Sequence, residues 1–117
     1  MLPPRQAKKA KRSSRWRSQA HLTWLRTFQC AVPGCQGMPI DAAHVRLGSG
    51  AGMSQKPDDW RAVPLCQFHH RHDQHVKGEP LFWDTYAKAA GQTVDQLIDA
   101  LCRESPKRRE IAEVRNV

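Results

Sequence analysis

The sequence predicts a small α+β domain flanked by helices, and three observations support this prediction. The chain has 117 residues, which is enough for one domain with short extensions. Two short strand-like segments, 38–46 and 61–65, precede three segments with helical patterns. Three of the four cysteines lie beside turn residues or histidines, and this placement is typical of metal binding.

The positive charge of the chain is concentrated near its N-terminus. The formal net charge is +8; residues 1–40 hold eight basic side chains and no acidic one, whereas residues 41–117 hold eleven of each sign. Such a one-sided field favours a polyanion, first nucleic acid and second an acidic membrane surface. Few large apolar residues precede Trp16, which argues against membrane insertion. No apolar run is long enough for a transmembrane helix.

Composition divides the chain into three parts. Residues 1–17 form a basic arm that we expect to be disordered, residues 18–104 form the folded domain, and residues 105–117 form a charged tail. The arm lacks the apolar segment of a secretory signal, which predicts a cytoplasmic protein. Thiols stay reduced in that compartment, so disulfides are not expected. Cys102, in an amphipathic pattern, is predicted to be a plain buried thiol.

Cap and turn residues predict the first elements of the domain in chain order. Ser18 is a candidate N-cap and predicts a helix over 19–27. The first strand is expected over 38–46, and a glycine-rich loop separates it from the second strand at 61–65. Pro64 cannot donate a backbone hydrogen bond, which places the second strand at an edge or makes it end there.

Three helical segments follow the second strand. The first is predicted to begin near Gln67 and to end before Gly78. The second covers 79–90, with Gly91 as its terminator. Thr93 opens a capping box, and the helix that follows has apolar residues at i, i+3, i+4 and i+7.

Two pairs of metal-ligand residues predict a structural zinc ion. Cys30 and Cys35 flank a Pro-Gly turn, and Cys66 is followed by His69 at helix-start spacing. A structural zinc ion takes four nitrogen or sulfur ligands, which two such pairs supply. A domain of this size has a small core, and a structural zinc ion can stabilise it by on the order of 10 kcal/mol. We favour His69 as the fourth ligand, although the adjacent His70 could take its place. The alternative to a zinc site is that these residues are unrelated buried thiols and surface histidines.

A cluster of histidines follows the last of these cysteines. Four of the six histidines fall within seven residues, which suits a second metal ion. They are His69, His70, His72 and His75. A polar helix face without a metal is the alternative interpretation. In an ideal α-helix, residues five apart share a face only poorly.

The order of these features resembles that of the zinc-containing HNH nucleases, the ββα-metal or His-Me finger superfamily. More narrowly, it resembles small phage and prophage nucleases related to the recombination-enhancement family (Ref-like and YbcO-like). The resemblance covers residues 18–90. The segments that carry it are Ile40-Asp-Ala-Ala-His-Val-Arg46, Lys56-Pro-Asp-Asp-Trp60, Val63-Pro-Leu-Cys-x-x-His-His70 and Gln74-His-x-x-Gly-Glu79.

The resemblance implies a metal-dependent DNA endonuclease with a ββα-metal core, in which a hairpin and a helix hold one catalytic Mg²⁺ or Mn²⁺ ion. It implies that His44 is the general base that deprotonates a water molecule, and that His70 and His75 bind the ion. Arg46, two residues beyond the base, could hold a phosphate oxygen; a solvated surface arginine is the alternative.

DNA is the implied partner, and a recombinase or another phage DNA-processing protein could deliver it. The basic arm would bind phosphates without reading sequence, so that binding would depend strongly on salt. The alternative is a solvated tail without a function. Together with Arg46, the candidate DNA-binding residues are Lys8, Lys9, Lys11, Arg12, Arg15 and Arg17.

The chain lacks the middle asparagine of the family pattern. Asn116 is the only asparagine of the chain, and it lies outside the motif. Asp58 or Asp59 could take the place of the missing residue, although a carboxylate cannot donate the same hydrogen bond. A catalytically inactive, zinc-stabilised DNA-binding or adaptor module is therefore the alternative function.

The spacing of the helix histidines is the second departure. The family more often spaces them i, i+4, whereas His70 and His75 are i, i+5. An insertion, a distortion of the helix, or the use of His72 could explain the difference.

Overall fold

The computed structural model describes residues 15–50 and 56–115. In these residues a helix precedes a two-stranded sheet, and five helical elements follow the second strand. In chain order the elements are α1 (Gln19–Leu25), β1 (Ile40–His44), a 3-10 turn (Asp59–Arg61), β2 (Ala62–Cys66), a π-helix (Phe68–Gln74), α2 (His75–Lys77), α3 (Glu79–Ala90), α4 (Val94–Glu104) and α5 (Arg108–Arg115). The predicted small α+β class with flanking helices is confirmed.

The two strands form an antiparallel hairpin that carries Cys66 at one end and His44 at the other. Ile40 pairs with Cys66 at one end, and His44 pairs with Ala62 at the other. Four residues along a strand span about 13 Å. Cys66, the last residue of β2, and His44, the last residue of β1, therefore lie at opposite ends of the hairpin.

The helix caps follow the sequence signals closely. The Ser18 hydroxyl accepts a hydrogen bond from the backbone of His21, so α1 begins where predicted, although it ends at Leu25. Thr93 forms both hydrogen bonds of its capping box with Gln96 at the start of α4. β1 is shorter than the predicted 38–46 by two residues at each end, and β2 begins and ends one residue later than the predicted 61–65.

The core lies between the hairpin and the helices α1 and α4. All five residues of β2 are buried. The carbonyl of Pro64 accepts a hydrogen bond from the Ala31 backbone, which fixes the segment before β1 against the outer edge of β2. The apolar side chains with 1% exposure or less are Leu25, Ala43, Val45, Ala62, Val63, Leu65, Ile98 and Ile111.

The segment predicted as a charged tail, 105–117, instead contains α5. Ile111 is the reason, because its side chain is only 1% exposed and anchors a helix whose other residues are mostly charged. Ser105, at the end of α4, is also buried, and its hydroxyl lies 2.7 Å from Nδ1 of His21. The prediction of a tail was wrong because Ile111 is the only buried residue of α5, and one buried position gives no visible periodicity in the sequence.

The last residues of the predicted arm pack against the domain. The backbone N–H of Trp16 donates to Asp58, and its indole N–H donates to Glu110 of α5 at 2.9 Å. Residues 1–14, with most of the predicted arm, lie outside the described residues.

Candidate metal centre and active site

Four side chains converge at the end of the hairpin where β2 stops. The ligand atoms of Cys30, Cys35, Cys66 and His69 all lie within 4.8 Å of one another. Nδ1 of His69 lies 3.4, 3.5 and 3.2 Å from the sulfurs of Cys30, Cys35 and Cys66. Ligands about 2.3 Å from a zinc ion at the centre of a tetrahedron are about 3.8 Å apart. This cluster could therefore bind a metal ion such as zinc.

Local structure explains why these four atoms meet. The Cys30–Cys35 segment reverses at Gly34, which has a φ of +77°, and Cys35 donates its backbone N–H to Val32. Cys66 ends β2, and His69 lies in the first turn of the π-helix that follows. The turn, the strand end and the helix start each place one part of the cluster.

The sequence left open whether His69 or His70 completes this cluster. Nδ1 of His69 faces the three sulfurs, and its Nε2 lies 3.8 Å from Asp73. A carboxylate behind the second ring nitrogen is typical of histidines that bind metal ions. His70 points elsewhere, with Nδ1 2.9 Å from Asp41. The prediction that His69, rather than His70, is the fourth member of the cluster is confirmed.

The thiols of the cluster differ in their electrostatic environment. Burial raises the pKa of the Cys30 thiol to about 11. The backbone N–H of Gly37 lies 3.3 Å from the sulfur of Cys35 and lowers the pKa of that thiol. A bound metal ion would need these groups as thiolates, so binding is accompanied by proton release.

Gly37 leaves room that the cluster needs. A Cβ atom at this position would lie 3.0 Å from both Cβ and Sγ of Cys66 and 3.3 Å from Sγ of Cys35. We expect Gly37→Ala to displace the ligands and to lower the unfolding free energy by about 1–3 kcal/mol, as crowding in a packed core does. Thermal melts and bound metal per chain measure the effect. Gln36→Ala, at the exposed neighbouring position, is the control; an equal effect of both substitutions would contradict this explanation.

His44, at the other end of the hairpin, forms a pair with the buried side chain of Asp59. Its Nε2 lies 2.9 Å from Oδ1 of Asp59, and the two side chains are 13% and 3% exposed. A carboxylate only accepts hydrogen bonds, so Nε2 carries the proton and Nδ1 has the free lone pair. Burial lowers the pKa of His44 below its ordinary value, although Asp59 opposes the shift. A neutral imidazole with one free nitrogen is a competent proton acceptor.

Asp59 is held in place by the segment before α1. Its Oδ2 accepts the backbone N–H of Ser18 at 2.8 Å, and Arg17 lies 3.3 Å from its Oδ1. Asp58, the other sequence candidate, contacts the backbone of Trp16 instead. Of the two aspartates that could take the place of the missing asparagine, Asp59 is therefore the one that contacts His44. Only the folded chain brings it there.

The π-helix brings His70 and His75 to one side. An i→i+5 repeat makes each turn wider than in an α-helix, so residues five apart lie nearer to the same face, and the π-helix ends directly before His75. The two imidazole rings have centroids 5.3 Å apart. The sequence left three explanations open for the i, i+5 spacing of these two histidines. The structure agrees with one of them, a distortion of the helix. π-helical segments are frequent at functional sites.

Asp41 orients the first of these rings. Its Oδ2 accepts from Nδ1 of His70 at 2.9 Å and from Nε of Arg71 at 3.1 Å. Burial alone would raise the pKa of Asp41, but the hydrogen bond from His70 and the charge of Arg71 outweigh it and lower that pKa. Nε2 of His70 remains available as a ligand. Within residues 15–50 and 56–115, however, the cysteine–histidine cluster is the only group of three or more donors at metal-binding distance.

Gln74 and Glu79 connect the helical region to β1, and the sequence did not single them out as functional. Nε2 of Gln74 donates to the carbonyl of His44 at 3.3 Å and to Glu79 at 3.0 Å. The Glu79 carboxylate also accepts the backbone N–H of Arg46 at 2.9 Å and the indole N–H of Trp83. Gln74 is 3% exposed. Both residues lie in a segment that carries the family resemblance, which was the available signal.

The predicted DNA-binding residues have different surroundings. Arg17 donates to the carbonyls of Lys56 and Pro57, so its guanidinium is used within the fold. Arg15 lies 3.7 Å from Asp58. Lys8, Lys9, Lys11 and Arg12 lie outside the described residues. No helix in the described ranges has the length and apolar character needed to cross a membrane.

Comparisons with known proteins give a family without an assigned activity. Residues 3–104 match the family described as "Protein of unknown function (DUF968)". The chain is 37% identical over 68 residues to the "Uncharacterized protein YdfU" of Escherichia coli (strain K12). The alignment covers 57% of this chain and 19% of that relative, so the matched region spans about a fifth of the length of the relative. No solved structure matches significantly.

Proposed function

The chain belongs to the DUF968 family, whose function is unknown, and we propose from the geometry of its own residues that it is a metal-dependent DNA endonuclease. The pair formed by His44 and Asp59 carries this proposal. It supplies an imidazole that is neutral, oriented by a buried carboxylate and placed at the end of a hairpin. Hydrolysis of a phosphodiester needs such a base, because water must lose a proton as it attacks phosphorus.

His44 and Asp59 have separate roles in the proposed reaction. Nδ1 of His44 takes a proton from water, the water oxygen forms a bond to phosphorus, and the bond from phosphorus to the 3′ oxygen breaks. Asp59 keeps the imidazole in the required tautomer and is a positioning residue. A divalent ion at this site would neutralise phosphate charge and stabilise the leaving oxygen.

His70 and His75 are the side chains that we propose as ligands of this ion. Their rings are close together, and Asp41 fixes the orientation of the first. Phosphate oxygens and water molecules would complete the coordination of Mg²⁺ or Mn²⁺, which commonly keep several non-protein ligands. The hairpin and the π-helix would then correspond to the ββα-metal core that the sequence resembles.

The second metal ion has a structural role in this proposal. The cluster of three cysteines and one histidine offers four protein ligands and leaves no open position, as structural zinc sites do. It lies at the end of the hairpin opposite to His44. A zinc ion there would hold the two strands and the start of the π-helix in register. Its thiolates fit the reducing cytoplasm.

The activity test is direct. Purified protein incubated with supercoiled plasmid DNA and Mg²⁺ or Mn²⁺ should convert it to nicked and linear forms, and EDTA added at the start should prevent this. Intact plasmid under all metal conditions would overturn the proposal for the isolated protein. The same assay with single-stranded circular DNA determines which form of DNA is cleaved.

A DNA-binding or adaptor module without activity is the second candidate. One observation favours it: in the described part of the chain, His70 and His75 have no third protein donor at metal-binding distance. Retained DNA binding together with an absence of cleavage would distinguish this function from the first.

A further inference from the structure

The surface of α4 and α5 carries basic side chains that the proposed active site does not use. A cleft of about 630 Å³ lies between these helices, and a smaller one of about 390 Å³ lies at the start of α5. We call this region the α4–α5 cleft. Its basic lining residues are Arg103, Lys107, Arg108, Arg109 and Arg115.

The two acidic residues of the cleft are already engaged by other groups. Asp99 accepts from Arg115 at 2.7 Å, and the guanidinium of Arg115 also lies over the ring of Trp60. Glu110 accepts the indole N–H of Trp16 and lies 3.9 Å from Lys107.

Three arginines of the cleft remain without a balancing acid. Arg103, Arg108 and Arg109 are exposed, and none forms an ion pair with any residue in the described ranges. The positive charge of the cleft is therefore available to an external anion. A guanidinium keeps its charge at all relevant pH values and matches the geometry of phosphate oxygens.

The position of Trp16 links this cleft to His44. Its indole contacts Glu110 in α5, while its carbonyl accepts the backbone N–H of Asp59, the partner of His44. The basic arm enters the domain at the same point. Residues 1–14 contain five cations and no acid: Arg5, Lys8, Lys9, Lys11 and Arg12. Trp16 therefore contacts both a residue that lines the cleft and the residue that pairs with His44.

We propose that the α4–α5 cleft is a second DNA-binding surface, at which Arg103 and Arg108 hold backbone phosphates while another part of the same strand lies at His44. This inference rests on the proposed function and extends it. An acidic membrane surface fits the cleft less well. None of the large exposed apolar side chains in the described ranges lines it, whereas membrane-surface sites insert such groups.

The test measures DNA binding and requires no cleavage. A short fluorescent duplex and its single strand are titrated with wild type and the double variant Arg103→Gln/Arg108→Gln, in EDTA, across a salt series. We expect roughly tenfold weaker binding at low salt and a salt slope that is shallower by about two, because each lost cation releases about one counterion less. Thermal melts check that both proteins are folded.

Lys88→Gln provides the matched control. Lys88 is 78% exposed on α3 and pairs only with Asp84 among the described residues. Its replacement should leave the affinity and the salt slope nearly unchanged. An equal loss per charge in this control would mean that net charge alone decides binding, and the proposal would be wrong.

Two further outcomes would also overturn the proposal. One is a double variant that binds DNA as wild type does. The other is a double variant that loses binding only to phosphatidylserine vesicles. Weakened DNA binding by a protein that never cleaves DNA would support the cleft and remove the nuclease proposal, so the two can fail separately.

Discussion

Replacement of His44 by alanine should lower the rate of plasmid cleavage at least 100-fold, because a positioned general base contributes about 10²–10⁴ in rate. No other imidazole in the described ranges pairs with Asp59. The measurement is the initial rate of nicking of supercoiled DNA with saturating Mg²⁺ or Mn²⁺. DNA affinity, measured in EDTA, should be unchanged, since His44 carries no charge at neutral pH.

Two further variants make the result specific. His44→Gln keeps an amide donor toward Asp59, so the buried carboxylate retains a partner while the proton acceptor is lost. It should be folded and as inactive as the alanine variant. His72→Ala is the matched control, because His72 is 58% exposed and stacks on Phe68 outside the site. Wild-type cleavage by either His44 variant would show that this residue is not the base.

The pH dependence of cleavage follows from the lowered pKa of His44. The neutral imidazole is the active form, and burial extends its population to lower pH than for an ordinary histidine. As pH falls, cleavage should therefore be lost only below the ordinary histidine pKa of about 6.5. A profile that loses activity above this value would assign the titration to another group.

Replacement of Cys66 by alanine should abolish metal binding and unfold the domain. Cys66 is 3% exposed, pairs with Ile40 across the hairpin and supplies one of the four ligand atoms. A structural zinc ion can contribute about 10 kcal/mol, whereas small domains have a total stability of about 5–15 kcal/mol. Loss of a ligand therefore removes most of the margin. Metal analysis and far-ultraviolet circular dichroism of the purified protein measure the two effects.

Cys102→Ala serves as the control for that experiment. Cys102 is as buried as Cys66, but its sulfur contacts the carbonyl of Trp60 and is not part of the cysteine–histidine cluster. Its replacement should cost only about 1 kcal/mol and leave the metal content unchanged. Removal of metal from wild type by a strong chelator should reproduce the Cys66 result. A melting temperature that is insensitive to chelation would contradict a structural role for the metal.

The residues of the metal cluster were predictable because their signals are local. Cys30 and Cys35 lie five positions apart around a turn, and Cys66 and His69 lie three positions apart. Short stretches of chain therefore bring the members of each pair together. The helix starts at Ser18 and Thr93 were predictable for the same reason, since a cap side chain bonds to a backbone N–H only three residues away.

The candidate active site was less accessible to sequence reasoning. His44 and Asp59 are 15 positions apart in the chain, with a glycine-rich loop between them, and no periodicity indicates that they touch. The sequence named Asp58 and Asp59 equally. Long-range bonds from Trp16 to Asp58 and from Ser18 to Asp59 distinguish them.

The sequence by itself indicated the three cysteines of the candidate metal cluster, the order of the two strands and of the helical segments as far as α4, and the concentration of charge before α1, because composition and spacings of a few residues encode these properties. Tertiary structure alone decided three others. It selected Asp59 as the partner of His44, it aligned His70 with His75 through a π-helix, and it made α5 a packed helix through Ile111. Each depends on contacts between distant segments, whose free energy no local pattern contains.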